Sequence, residues 1–182
     1  MSVRRIAIPV LAAFLVACTG VESETDTVER GAQLLAPFKA DLKAELVAAM
    51  QIGPVEAIAA CKTAAPQIAA SLSVDGVRMG RSSHKLRNPD NAPPAWLEPS
   101  ISVFSAIRNQ RQGETLVEGL VVELDGGRHG YAEPIFMQPL CLACHGESLA
   151  PDVAAKISEL YPKDQATGFR DGDFRGVFWV EF

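Results

Sequence analysis

No repeat runs through these 182 residues, and no cluster of lysine and arginine stands anywhere in them. Without a repeat, and with 48% hydrophobic and 21% charged residues, the chain reads as one globular domain of usual size. Scattered basic residues and a formal net charge of -5 remove the electrostatic footprint that phosphate contacts require, which argues against broad nucleic-acid binding. A membrane-spanning run is missing too, since the apolar stretch from Ile6 to Ala17 is too short to cross a bilayer comfortably. Metal ligands are scarce: beyond residues 141–145, Cys61, His84 and His129 show no paired spacing, so a zinc site lacks its ligand set.

What is present begins with Arg4 and Arg5 ahead of that apolar run, the layout of a secretory signal. Its end, Leu15-Val16-Ala17-Cys18, resembles the lipobox of bacterial lipoproteins. Residues 1–17 are then expected to be removed and Cys18 lipidated; the plainer alternative is an ordinary signal peptide followed by a coincidental cysteine. Both readings export the chain, and the first places it in the periplasm, held to a bacterial membrane by a lipid anchor only. Residues 18–26 are polar and acidic, as a tether is, and the folded domain is expected over 27–182.

Apolar residues Leu35, Phe38, Leu42, Leu46 and Met50 recur three or four apart and predict a long helix, with Pro37 marking a start or a kink. Gly53-Pro54 closes it and opens a second helix, in which Val55, Ile58, Cys61 and Ala65 share one face and Pro66 marks a kink or an end. Residues 80–94, GRSSHKLRNPDNAPP, read as a long loop, and loops of that length inside a compact domain are usually functional. A short helix is expected over 95–112. Two apolar-rich runs around Asp125-Gly126-Gly127 predict a hairpin, DVAAKISELYP a helix, and RGVFWVEF a last strand. A further short strand fits residues 77–79. The class is α+β with an antiparallel sheet behind long N-terminal helices.

Directly after the hairpin stands Cys141-Leu142-Ala143-Cys144-His145. Two cysteines two residues apart followed by histidine suit a covalently attached c-type haem, with thioether bonds from Cys141 and Cys144 and His145 as the proximal iron ligand. A thioredoxin-like pair prefers a βαβ setting, which the hairpin does not supply. A Cys141–Cys144 disulfide remains the other alternative for an exported chain. For the opposite side of the iron the residues leave several candidates: Met50, Met79, Met137, His84, His129, Cys61, or no ligand. Cys61 has no other assignment and faces inward, although a buried cysteine taken alone is usually an inert hydrophobe.

Four blocks in order, AIAACKTAAPQIA (57–69), RSSHKLRNPDNAPPAWLEP (81–99), CLACHG (141–146) and YPKDQATGFRDGDFRGVFWVEF (161–182), resemble the exported monohaem c-type proteins with a PAS-like haem domain. The resemblance runs from about Thr27 to the C-terminus. It implies one covalent haem against a five-stranded PAS-like antiparallel sheet, with the motif histidine on one side of the iron and a cysteine on the other. That cysteine matches Cys61. Three of the five strands are legible above, a fourth fits 77–79, and the fifth has no place.

A thiolate ligand favours Fe(III) and a low reduction potential. Two protein ligands leave no open coordination position, so a peroxidase is the weaker reading and the chain is expected not to be an enzyme. Electron transfer to a redox partner comes first; haem-based redox or NO/CO sensing, through a separate signalling partner, comes second. In the loop, Arg81, Lys85 and Arg87 suit haem propionates, against the alternative of solvated charges. Trp96 suits either the haem edge or the core. Asn88-Pro89 and Asn91 shape the turn, and no chemistry is assigned to Tyr161, Asp164 or Gly168.

Overall fold

The computed structural model describes residues 23–108 and 119–182. The export signal, Cys18 and the first part of the tether lie outside the described residues, as do the end of the third expected helix and the start of the first hairpin strand.

Helix α1 spans Glu24–Ile52, so its first turn takes in residues allotted to the tether. The reason is a capping box: the Ser23 hydroxyl accepts from the Asp26 amide at 3.2 Å, and the Asp26 carboxylate accepts from the Ser23 amide at 3.3 Å. Pro37 neither starts nor ends α1. Proline in a helix interior costs about 3 kcal/mol. Leu35 and Phe38 on either side of it are buried against the sheet, which at about 1.5–3 kcal/mol per side chain offsets that cost. Gly53 ends α1, and α2 runs Pro54–Leu72, passing Pro66 in the same way with Ala57, Ile58 and Ala65 buried.

Four antiparallel strands follow: β1 (Arg78–Ser82), β2 (Leu120–Leu124), β3 (Arg128–Phe136) and β4 (Phe174–Glu181), in the order β1-β4-β3-β2. Strand β1 occupies the start of the stretch expected to be loop, because β4 supplies it with a partner from Arg78 opposite Glu181 to Ser82 opposite Val177. The hairpin turns at Asp125-Gly126-Gly127, where both glycines adopt positive φ, 76° and 73°. Alternation along β4 gives the sheet two covered faces. Phe178 and Val180 pack with Leu35, Phe38, Met79 and Tyr131 under the N-terminal helices. Val177 and Trp179 pack with Leu97, Ile101, Phe104 and Ala132, which bring in the short helix α3 (Glu98–Arg108). Two more helices precede β4: a single turn, α4 (Leu142–His145), and α5 (Pro151–Leu160), which packs on α2 through Ile58, Val153 and Ile157. Among the described residues the fold is thus mixed α+β with a four-stranded antiparallel sheet, and no helix there is long and apolar enough to cross a membrane.

Candidate functional site

A cavity of about 500 Å³ lies between the N-terminal helices, the β1 edge of the sheet, the loop after β1 and the single turn α4. That volume is in the range of small-molecule and cofactor sites. Its wall brings together Cys61 from α2, Arg81 from β1, Arg87 from the loop, and Cys141, Cys144 and His145 around α4. These residues are spread over more than 80 positions of sequence, and six of the seven expected site residues within the described range meet there. The seventh, Lys85, does not line the cavity: its ammonium lies 5.0 Å from the centre of the Phe169 ring and 3.5 Å from the Thr167 carbonyl.

The α4 turn is built for presentation. A 3₁₀ turn at Pro139–Cys141 leads into it, and Gly146 closes it with a hydrogen bond to the Leu142 carbonyl at 3.0 Å. A β-carbon at Gly146 would lie 2.6 Å from that carbonyl oxygen, so the closing residue has to be glycine. The segment 164–169 then clasps the turn from behind. Phe169 donates to the His145 carbonyl and Gly168 to the Gly146 carbonyl, both at 3.0 Å. The His145 Nδ1 lies 2.6 Å from the Ala166 carbonyl oxygen. A carbonyl only accepts, so Nδ1 carries the proton and Nε2 keeps its lone pair, the form in which imidazole binds a metal. Burial, reinforced by the positive charges of Arg175 and Arg87, holds the imidazole neutral, with its pKa down to about 2.

Arg87 is the strut of this clasp. Its Nε donates to Asp164 at 3.1 Å, and one terminal nitrogen donates to the Cys144 carbonyl at 2.6 Å and to the Ala166 carbonyl at 3.1 Å. Asp164 in turn accepts from the Ala166 amide at 2.9 Å. The guanidinium therefore joins the cysteine motif to the carbonyl that orients His145: Arg87 lines the cavity, with its Nε and one terminal nitrogen engaged in the wall.

Cys61, Cys141 and Cys144 are free thiols, so the Cys141–Cys144 disulfide is not formed. Among the described residues, no group of three or more His, Cys, Asp or Glu side chains could hold a metal ion by itself. Burial pushes the Cys61 and Cys144 thiols above their ordinary pKa, and nearby guanidinium groups, Arg81 and Arg87 for Cys61, pull part of that back.

The remaining sequence candidates are dispersed. Met137 is a core residue, while Met50 and the buried Met79 both reach the cavity wall. His84 stacks on Phe174 with ring centres 5.5 Å apart, and His129 lies against Phe182. Trp96 is a core residue: its indole N–H donates to Glu181 at 2.9 Å and its ring meets Trp179 edge to face.

Of the wall residues that sequence reasoning missed, Tyr161, Trp179 and Arg175 have the most distinct chemistry. Tyr161, buried beside Cys61, has its hydroxyl pKa raised by burial and by that thiol. Trp179 lines the cavity with a buried indole N–H that has no acceptor among the described residues. Arg175 was the most visible of them, a lone cation inside the aromatic strand RGVFWVEF.

Taken together, these features define a class: an α+β protein whose N-terminal helices and antiparallel sheet enclose a cation-rich cavity presenting free thiols and a neutral imidazole. The chain belongs to the Tll0287-like family, whose sequence model matches residues 16–182. Among solved structures it is similar to the crystal structure of the cyanobacterial haem-protein Tll0287, with 31% identity and a TM-score of 0.51, covering 68% of this chain and 71% of that one. No curated protein matches it.

Proposed function

We propose that the chain binds one covalent c-type haem in this cavity and transfers electrons with it. The carrying observation is that Cys61, Cys141, Cys144 and His145, drawn from separate parts of the sequence, line one cavity in a family that includes a haem protein. The donor set fits such a group. Two free thiols flank one helical turn, an imidazole is held in its ligating tautomer, and cations stand in the wall for carboxylates.

In this reading Cys141 and Cys144 would hold the haem through thioether bonds, and His145 and Cys61 would be the residues that ligate its iron. A bound haem supplies a reversible one-electron couple at iron. The Ala166 carbonyl fixes the His145 ring and makes it the better donor, and Arg87 keeps that carbonyl in place. Cys61 as thiolate favours the ferric state, which places the potential low. Were His145 and Cys61 both to hold the iron, oxygen or peroxide chemistry would have no open site, so a carrier fits better than a peroxidase. The second reading is sensing: a single cysteine ligand at Cys61 would be one that NO or CO could replace, with a separate partner reading the change. The PAS-like character of the sheet, export, lipidation at Cys18 and a periplasmic location belong to the same proposal.

The test is spectroscopic. Co-expressed with c-type maturation proteins, the chain should retain haem through acid-acetone extraction, and extractable haem sinks the covalent assignment. Ferric low-spin signals of thiolate type should vanish in Cys61→Ser; an unchanged spectrum removes Cys61 from the iron. Slow CO and NO binding with fast electron exchange supports the carrier, and the reverse supports the sensor.

A further inference from the structure

The polar wall of the cavity is one-sided. Arg81, Arg87 and Arg175 all reach it, and Asp90 is the one acidic residue among the described residues lining it. Arg87 already has its carboxylate in Asp164. The other two do not. Arg81 is partly buried and lines the cavity, and among the described residues it has neither an ion pair nor a hydrogen bond from its guanidinium. Burial pulls its pKa down.

Arg175 donates one terminal nitrogen to the Lys85 carbonyl at 3.2 Å and rests 5.5 Å from the centre of the Phe169 ring. That carbonyl is neutral. Burial and the charges of Arg81 and Arg87 bring the Arg175 pKa down to about 10. Two guanidinium groups within electrostatic reach of each other, with no counter-ion of their own, are costly to bury. A fold keeps such a pair where something anionic neutralises it.

We infer that Arg81 and Arg175 form a receptor for the two carboxylates of the cavity's occupant. Guanidinium recognises carboxylate through two parallel N–H donors, and two such cations match a dianion with the charge balanced. The inference rests on the haem reading, in which the carboxylates are the two propionates. It replaces the set Arg81, Lys85 and Arg87 with Arg81 and Arg175, because Lys85 is outside the cavity lining and the Arg87 charge is already paired with Asp164.

The test compares two probes on the full-length mature chain, prepared without haem and with Cys141→Ala and Cys144→Ala so that nothing is captured covalently. Ferric protoporphyrin IX and its dimethyl ester carry the same ring and iron and differ in the two carboxylates. In spectroscopic titration the free acid should bind roughly tenfold to a hundredfold more tightly than the ester, the size of one or two charge-assisted hydrogen bonds. Arg81→Gln and Arg175→Gln should each shrink that ratio, while Arg81→Lys keeps most of it. A readout that needs no haem comes from the melting temperature: Arg81→Gln should raise it in the haem-free chain by relieving the repulsion, and its fall would count against the receptor. Equal affinities for acid and ester overturn this inference and leave the haem reading intact. Binding of neither probe overturns both.

Discussion

Replacing Arg87 by methionine keeps the stem of the side chain and removes the cation that links the loop after β1 to the cysteine motif. In the wild type the Arg87 and Asp164 side chains are 12% and 9% exposed and meet at 3.1 Å. Methionine leaves the Asp164 carboxylate buried without its cation and withdraws a donor from the Cys144 and Ala166 carbonyls. Breaking a buried pair by removing one partner costs about 3–5 kcal/mol. Because Asp164 still accepts from the Ala166 amide at 2.9 Å, the lower end applies, about 3 kcal/mol.

For a domain of this size each kcal/mol moves the melting temperature by about 2–4 °C, so thermal unfolding followed by circular dichroism should show a fall of roughly 6–12 °C. Asp164→Asn should cost less, since the amide oxygen still accepts. The double variant should be more stable than the sum of the two by at least about 1 kcal/mol, the coupling expected of side chains in one network. A loss under about 1 kcal/mol in Arg87→Met, or strict additivity in the cycle, would refute the strut. The same variant should also change the Nδ1 proton resonance of His145, since the carbonyl that accepts from it loses its Arg87 bond.

Two further outcomes follow from the geometry. Gly31→Ala should destabilise the chain, although alanine is the better helix former by about 1 kcal/mol: its β-carbon would collide with the Tyr131 ring, and overpacking a core costs about 1–3 kcal/mol. A rise in melting temperature would show that α1 can move off the sheet. The haem-free chain should lose stability on acidification through His145. The folded state keeps that ring neutral to about pH 2, whereas in the unfolded chain it protonates near pH 6.5, so the unfolded state binds the extra proton as pH falls through 6.5. Between pH 7 and 5.5 this amounts to about 1 kcal/mol. His145→Asn should flatten that part of the stability profile, and an identical slope in the variant would show that His145 is not the group responsible.

The sequence carried the parts of this protein that depend on local rules. Helical spacing located α1 and α2, Asp125-Gly126-Gly127 located the hairpin, and the cysteine-histidine spacing singled out residues 141–145, because each is a property of neighbours in the chain. The start of α1 was local too, but the capping box Ser23-Asp26 was hidden inside an acidic stretch that reads as tether. Strand β1 was mostly read as loop because Gly80 and Ser82 have poor strand propensity. Its strand character comes from β4, about a hundred residues on.

What a given arginine does in this molecule is set by the same kind of distance. Arg81 and Arg87 lie six residues apart in a stretch whose composition reads as loop with solvated charge, and nothing in their neighbours tells them apart. Arg87 becomes a strut because Asp164 arrives 77 positions later in sequence. Arg81 is drawn inward with β1, whose pairing with β4 places it on a wall that also holds Arg175. Burial then makes the difference consequential: an exposed arginine without a partner costs almost nothing, while a deep one has to meet an anion or lower its charge. The carboxylate each guanidinium meets, Asp164 in the chain for Arg87 and one brought by the occupant for Arg81, therefore divides the machinery that holds His145 from the surface that selects what His145 faces.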